Sequence, residues 1–141
     1  MRDDGIHSYE PAQGHGLRHD PFNAIVSPRP IGWISSRRRE GRLSLAPYSF
    51  LNAFDYEPPI LGFSSIGWKD GFRTIDQTGE FAWNLATRAL AEAMNQSAAH
   101  VGRKAVETWL ALGEVVAVRI DETLLREGVH DTAARPDAAR T

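Results

Sequence analysis

Seven polar side chains stand at predicted strand ends and turns between residues 28 and 85, each close to an aromatic or aliphatic neighbour. They are Ser35, Ser36, Ser49, Asn52, Ser64, Ser65 and Lys69. Hydroxyls, an amide and a lysine can hold a phosphate, which accepts hydrogen bonds and attracts a cation. Apolar walls such as Trp33, Phe50 and Trp68 suit a flat ring. The set therefore suits a ring system that ends in a phosphate, although the same residues are also typical of ordinary strand ends over a Trp and Phe core.

The elements that would position these residues begin with a hairpin. Residues 31–36 predict a strand and residues 43–54 predict a second extended stretch, so we expect the two to pair. The charged residues 37–42 join them, and Gly41 is free to take a positive φ in the turn. We interpret the arginines of this turn as a solvated hairpin tip rather than a phosphate or RNA contact.

A bend in the second stretch would decide whether two candidate residues meet. Ser49 and Asn52 are three positions apart, so they share a face only if the strand bends or bulges, which Pro47 favours. Residues 55–59 predict a loop, because the two prolines in it cannot donate to a ladder. Residues 60–65 then predict a third strand.

The rest of the chain predicts small helices between further strands. In chain order the elements are a loop over 66–71, a helix from Asp70 to Gly79, a strand over 80–85, a helix from 87 to about 99, a strand over 109–120 and a short helix from Asp121 through Leu124 and Leu125 to Gly128. The two aspartates are predicted to cap their helices, and Gly79 is predicted to end the first one.

Short strands joined by turns, with a few small helices, predict a mainly β fold such as a small barrel or sandwich. Residues 1–22 are polar and rich in Gly, His and Pro, which predicts an N-terminal arm. Residues 23–132 are predicted to form one domain, and residues 133–141 are predicted to form a disordered tail.

Composition excludes several classes of function. The 141 residues carry 16 Lys and Arg against 18 Asp and Glu, and this net charge of −2 argues against nucleic-acid binding. The absence of cysteine excludes a thiol nucleophile, a disulfide framework and a thiolate zinc site. No apolar run approaches the roughly 20 residues of a membrane helix, and the first residues lack the apolar core of a leader. We therefore expect a cytoplasmic domain without a membrane partner.

No group of residues predicts side-chain catalysis or a metal site. His7, His15 and His19 lie in the predicted arm without a carboxylate at ligand spacing, so no metal site is predicted. Asp55 and Glu57 lie in a predicted exposed turn, which argues against an acid–base pair. Phosphate-binding loops, dinucleotide fingerprints and nucleophile elbows are not found. We assign no catalytic side chain.

Three blocks of sequence, in the expected order and spacing, resemble the signatures of the flavin reductase-like, FMN-binding split-barrel family. They are residues 27–36; residues 45–53 with Pro58 and Pro59; and residues 69–75 with 78–81 and 84–85. The resemblance extends over about residues 9–97. It implies a Greek-key split barrel that binds FMN, a homodimer with the cofactor near the subunit interface, and hydride transfer from NAD(P)H to flavin.

The resemblance also implies which residues bind the cofactor. They are Trp33, Ile34, Ser35 and Ser36 of the first block, Ser49, Phe50 and Asn52 of the second, and Lys69 of the third. Ser49 and Asn52 would lie near the phosphate or the ring edge, and Lys69 would bring positive charge. In such proteins the cofactor carries the redox chemistry, which agrees with the lack of catalytic motifs.

The chain departs from the family's pattern after Met94. Residues 98–108 are a shorter connection than the family has there, and the sequence stops soon after Pro136, where members usually continue. We therefore expect an incomplete barrel. The alternative function is a catalytically inactive or truncated split-barrel module that acts in dimerisation or ligand binding. A haem protein with His100 or His130 as axial ligand is a third possibility.

Overall fold

The computed structural model describes residues 5–98 and 107–130. The strands are β1 (Gly32–Arg37), β2 (Leu43–Tyr48), β3 (Leu51–Tyr56), β4 (Pro59–Ile66), β5 (Ala82–Asn84), β6 (Thr108–Glu114), β7 (Leu125–Arg126) and β8 (Val129–His130). The α-helices are α1 (Phe22–Ile25), α2 (Asp70–Thr78) and α3 (Ala91–Gln96), with single 3-10 turns at Pro11–Gln13, Arg88–Leu90 and Glu122–Leu124. The fold is mainly β with small helices, as the sequence predicts.

The strands form two antiparallel three-stranded sheets and one short ribbon. The first sheet has the order β2-β1-β5, the second has the order β3-β4-β6, and β7 pairs with β8. Within the described part of the chain the two large sheets are not hydrogen-bonded into a closed barrel. The same part of the chain contains no helix long and apolar enough to cross a membrane.

The predicted first hairpin is confirmed. β1 and β2 pair from Gly32 opposite Tyr48 to Arg37 opposite Leu43. The turn closes with hydrogen bonds from the Arg38 amide to the Arg42 carbonyl at 2.9 Å and from the Gly41 amide to the Arg38 carbonyl at 2.8 Å. Gly41 has φ of +90°, a backbone conformation that residues other than glycine rarely adopt.

The prediction of one strand over residues 43–54 is wrong, because this stretch is divided between the two sheets. β2 ends at Tyr48 in the first sheet, and β3 begins at Leu51 in the second. Pro47 lies inside β2, where it is tolerated because β2 is an edge strand, and the chain turns two residues later. The predicted loop over 55–59 is also shorter, since β3 continues to Tyr56 and β4 begins at Pro59.

The prediction of a strand over residues 109–120 is wrong beyond Glu114. β6 pairs with β4, and the last hydrogen bond of this ladder runs from the Val115 amide to the carbonyl of Pro59, the first residue of β4. After that point β6 has no partner strand among the described residues, so the alternating Val116, Val118 and Ile120 are exposed.

The helices differ from the sequence prediction mainly at their ends. Asp70 is the first residue of α2 and not its N-cap, which is Lys69, and the Asp70 carboxylate contacts Arg73 at 3.1 Å. Gly79 ends α2 with φ of +72°, as predicted. The strand predicted over 80–85 is only β5, and the helix predicted from 87 is a 3-10 turn followed by α3 up to Gln96.

Near the end of the described chain one cap is confirmed and one helix is shorter than predicted. The Asp121 side chain accepts a hydrogen bond from the Thr123 amide at 3.0 Å. The turn that it caps ends at Leu124, and Leu125 already belongs to β7. The predicted connection over 98–108 lies for the most part outside the described residues, as do the predicted tail over 133–141 and the first four residues of the predicted arm.

Phe63 holds the two sheets and α2 together. Its side chain, on β4, is only 1% exposed, and its ring centroid lies 4.5 Å from that of Tyr48 on β2 and 5.2 Å from that of Phe72 on α2. Ile34 and Leu51 complete this core cluster. Leu51 packs directly on β1, because a Cβ placed at Gly32 would lie 2.8 Å from Leu51 Cδ1.

Replacing Phe63 with alanine is expected to lower the free energy of unfolding by about 3–5 kcal/mol, because the lost ring leaves a cavity where both sheets meet. Urea unfolding followed by fluorescence measures this. Tyr56→Ala, at an exposed ring on β3, is the matched control and should change the free energy by less than about 0.5 kcal/mol. Equal losses in the two variants would contradict the assignment of the core.

Candidate functional site

The candidate residues of the second block lie at the corner where the chain passes from one sheet to the other. Ser49 and Phe50 connect β2 to β3, and Asn52 is the second residue of β3. The residues on either side of the connection, Tyr48 and Leu51, are both buried. Because these two side chains turn into the core, the connection lies at the surface, with Ser49 exposed and Phe50 half-buried. We call residues 49–52 the corner.

The corner is held on two sides by hydrogen bonds to its main-chain carbonyls. The Ser49 carbonyl accepts from Arg29 Nε at 2.6 Å, and the Phe50 carbonyl accepts from the Ser64 amide of β4 at 3.0 Å. Asn52 Oδ1 accepts from the Ala53 amide at 2.9 Å. The amide nitrogen of Asn52 and the hydroxyl of Ser49 donate to no described residue, so both donors are free for a ligand.

Lys69 lies beside the ring of Tyr48, the residue that precedes the corner. Its ammonium lies 5.7 Å from the centroid of the Tyr48 ring, at the start of α2, and Tyr48 is directly followed by Ser49. No described carboxylate forms an ion pair with Lys69. The charge of Lys69 is therefore available for an anion in this region.

Trp33 and Ser35 lie on the face of β1 that points away from the core, where protein groups occupy their polar atoms. Trp33 Nε1 donates to Ser97 Oγ at 3.0 Å. Ser35 Oγ accepts from Asn84 Nδ2 at 3.2 Å, and Asn84 also donates to the Trp33 carbonyl at 3.0 Å. These bonds join β1 to β5 and to the residue after α3. The side chains of Trp33 and Ser35 therefore have fewer free polar atoms than those at the corner.

Ile34 and Ser36 lie on the opposite face of β1. Ile34 is only 3% exposed and belongs to the core cluster, and Ser36 is also buried. Side chains alternate along a strand, so four consecutive residues cannot all turn toward one ligand. For Ile34, contact with a ligand would have to come from the main chain. The register also places Ser35 and Ser36 opposite Leu45 and Ser44, nearer to the hairpin tip than to the corner.

The remaining candidates do not join the corner. Ser65 is buried and donates to the Gly67 carbonyl at 3.2 Å, while the half-buried Ser64 binds the corner through its amide. Of the two haem-ligand candidates, His130 is exposed on β8, and His100 lies outside the described residues. Over residues 5–98 and 107–130, no group of three His, Asp or Glu side chains is arranged to hold a metal ion.

Arg29 and Tyr48 contact the corner or Lys69, although the sequence analysis assigns neither of them to the cofactor site. Arg29 lies in the first block, between two prolines, and Tyr48 lies in the second. Arg29 contacts main-chain carbonyls, and such contacts leave no pattern in the sequence. The aromatic neighbour of Ser49 was the signal available for Tyr48, which is buried at the end of β2.

Comparison with known sequences finds uncharacterized relatives. No protein-family model matches the chain. An Aquifex aeolicus protein is 37% identical over 75 residues, which is 50% of this chain and 38% of that protein. A Deinococcus radiodurans protein is 39% identical over 90 residues, which is 57% of this chain and 40% of that protein. The match therefore spans about two fifths of the length of these curated relatives.

Comparison with solved structures identifies the fold. Nitrilotriacetate monooxygenase component B of Bacillus cereus superposes with a TM-score of 0.76 at 19% identity, covering 96% of this chain and 94% of that one. A proposed flavin reductase with a split-barrel domain from Shewanella frigidimarina gives 0.71 at 17% identity, covering 93% and 88%. An FMN-binding protein of Thermus thermophilus with bound p-hydroxybenzaldehyde gives 0.67 at 18% identity, covering 85% of each chain. The chain has the fold of the flavin reductase-like, FMN-binding split-barrel proteins, which the three sequence blocks predict.

Tyr48→Phe is expected to make stability less sensitive to alkaline pH. Burial raises the pKa of the Tyr48 phenol above its ordinary value of about 10. The folded value therefore exceeds the unfolded one, so the stability tied to the neutral phenol is fully present below about pH 10 and is lost as the pH rises through the folded value. Urea unfolding at neutral and alkaline pH measures this, with Tyr56→Phe on exposed β3 as control. Wild-type pH dependence in Tyr48→Phe would contradict the expectation.

Proposed function

We propose that this protein is an FMN-binding oxidoreductase of the flavin reductase type, in which flavin accepts a hydride from NAD(P)H. The observation that carries the proposal is the group of free donors around the corner. The Ser49 hydroxyl and the Asn52 amide nitrogen belong to the corner, the Lys69 ammonium lies 5.7 Å from the ring centroid of Tyr48, and none of the three donates to a described protein group. Donors without protein acceptors are suited to an anionic ligand with carbonyl edges.

The donor set agrees with the chemistry of FMN. A phosphate carries roughly −1.5 to −2 charges near neutral pH and takes hydroxyl, amide and cationic donors. Ser49 and Lys69 supply two of these kinds of donor, and Asn52 supplies an amide for a phosphate oxygen or a ring carbonyl. Phe50 and the exposed part of Trp33 supply apolar surface. Ser35 is a weaker candidate for binding FMN, because its hydroxyl oxygen already accepts a hydrogen bond from Asn84.

Bound FMN would supply two-electron redox chemistry, taking up a hydride from a reduced nicotinamide. The residues of this chain would bind the FMN and orient it. Ser49 and Asn52 would hold the ligand at the corner, and Lys69 would compensate negative charge on it. Trp33, with its indole fixed by Ser97, would limit how the ligand lies against β1. Ile34 and Ser36 would contribute main-chain contacts.

The proteins that share this fold support the proposal without deciding it. One is an FMN-binding protein and another is a monooxygenase component. Their identities to this chain are below 25%, and fold alone does not determine function. The nicotinamide donor and the cytoplasmic location remain predictions from the sequence.

A second candidate function is a split-barrel module that binds a ligand or a second subunit without turnover. The observation that favours it is the pair of separate three-stranded sheets, which are not closed into a barrel within residues 5–98 and 107–130. Flavin binding and nicotinamide oxidation therefore have to be measured separately.

We further propose a homodimer through the outer face of the second sheet. Phe54, Leu110 and Leu112 are 56%, 57% and 56% exposed, respectively. Two of them meet over a glycine, since a Cβ placed at Gly62 would lie 2.5 Å from Leu112 Cδ2 and 2.7 Å from Phe54 Cε2. Exposed apolar faces of this kind mark interaction sites. Asn52 pairs with Gly62 on the same face, so a second copy seated there would lie beside the corner.

Titration with FMN tests the ligand assignment. Wild-type protein is expected to bind FMN, and binding is expected to shift the visible absorbance of the flavin. Lys69→Ala and Ser49→Ala are each expected to weaken binding by about 1–3 kcal/mol, the range for a lost charge-assisted bond. Arg42→Ala, at the exposed hairpin tip, is the control and should bind like wild type.

The same preparation, supplied with FMN, is then given NADH or NADPH, and the absorbance of the reduced nicotinamide is followed. Oxidation that depends on Lys69 and Ser49 supports the flavin reductase assignment. FMN binding without oxidation favours the module, and a wild-type protein that binds no FMN overturns the proposal.

Leu112→Glu is expected to convert a dimer into a monomer, because a carboxylate would be buried without a partner in the proposed interface. Sedimentation at micromolar concentration measures the mass. Leu43→Glu, at an exposed leucine on β2, is the matched control and should leave the dimer intact. A monomeric wild-type protein would refute the dimer and leave the assignment of the FMN donors standing.

A further inference from the structure

Arg29, which is half-buried, makes three hydrogen bonds to main-chain carbonyls and one contact with an aromatic ring. Its Nε donates to the Ser49 carbonyl at 2.6 Å, and its Nη1 donates to the carbonyls of Asn23 at 2.8 Å and of Val26. Its guanidinium carbon lies 4.7 Å from the centroid of the Phe50 ring. A single side chain thus joins the segment around α1 to the corner.

The contact with the Ser49 carbonyl acts on the orientation of the corner. A peptide group is planar, so fixing the Ser49 carbonyl also fixes the amide of Phe50. Stacking on the ring of Phe50 restrains the next side chain as well. The opposite side of the corner is held by the bond from the Ser64 amide to the Phe50 carbonyl. Arg29 thus restrains the corner from the side facing α1, where the ring of Phe22 also lies 6.2 Å from that of Phe50.

The shape of the guanidinium explains why arginine stands here. It presents several N–H donors in a fixed plane, so it can serve three carbonyls while its face lies on a ring. A lysine has one nitrogen and cannot reach carbonyls at both ends of this plane. No described carboxylate forms an ion pair with Arg29, so its contacts are to main-chain groups and to Phe50.

We propose that Arg29 is a positioning residue for the flavin site, holding Ser49 and Phe50 in the orientation that binds FMN. This inference rests on the proposed function. Arg29 acts through the corner, and its loss would let the Ser49–Phe50 peptide rotate and change where the Ser49 hydroxyl and the Phe50 ring lie. Loss of Arg29 is therefore expected to change both the affinity for FMN and the orientation of the bound FMN.

The test compares Arg29→Gln, Arg29→Lys and the control Arg42→Gln, an exposed arginine of the hairpin tip. FMN affinity is measured by fluorescence quenching well below the melting temperature, and visible circular dichroism of bound flavin is recorded at saturation. Arg29→Gln is expected to raise the Kd at least tenfold and to change the circular dichroism. Arg29→Lys, which keeps the charge but has a single nitrogen donor, is expected to fall between Arg29→Gln and wild type. Arg42→Gln should match wild type.

A purely structural role would give a different result. In that case Arg29→Gln would melt at a lower temperature, while the folded protein would keep the wild-type Kd and circular dichroism, and this outcome overturns the inference. If Arg29→Gln does not fold, Arg29→Lys carries the comparison, and wild-type values for both quantities again overturn it. A wild-type protein that binds no FMN is seen before any variant is compared, and it overturns the proposed function together with the inference.

Discussion

Tyr48 and Leu51 are both buried in one core although they belong to different sheets, and this constraint shapes the rest of the molecule. Only Ser49 and Phe50 separate them, so the chain has two residues in which to leave one sheet and enter the other. A connection this short, with both ends fixed in the core, has few available conformations. It therefore presents Ser49 to solvent and brings Asn52 close to it. The candidate site is a consequence of how the core is filled.

The fold could be predicted where local sequence decides the structure. The hairpin turn at Gly41, the end of α2 at Gly79 and the cap at Asp121 depend on conformations or hydrogen bonds that only a few residue types provide. The prediction failed where partners distant in sequence decide. The alternation of Val116, Val118 and Ile120 is that of a strand, but β4 begins at Pro59 and offers no partner beyond Val115.

The site was predictable to a similar extent. Residue types pointed to Ser49, Asn52 and Lys69; Ser49 and Asn52 lie at the corner, Lys69 lies beside the ring of Tyr48, and their part in binding stays a prediction. Strand alternation separates Ile34 and Ser36 from Trp33 and Ser35, which a motif read as a continuous block does not reveal. Arg29 was missed as a site residue because its partners are main-chain carbonyls, and every residue type carries one of those.

The connectivity of the two sheets bears on how the protein folds. β1 pairs with β2 and β3 pairs with β4, so two hairpins that follow each other directly in the chain contain most of the core. Closing a short loop costs less entropy than closing a long one, and topologies rich in local pairs fold quickly. β5 and β6 join from much farther along the chain. We expect the corner to take shape when the two hairpins dock, ahead of the distant strands, so that the region with the free donors is among the first parts of the tertiary structure to form.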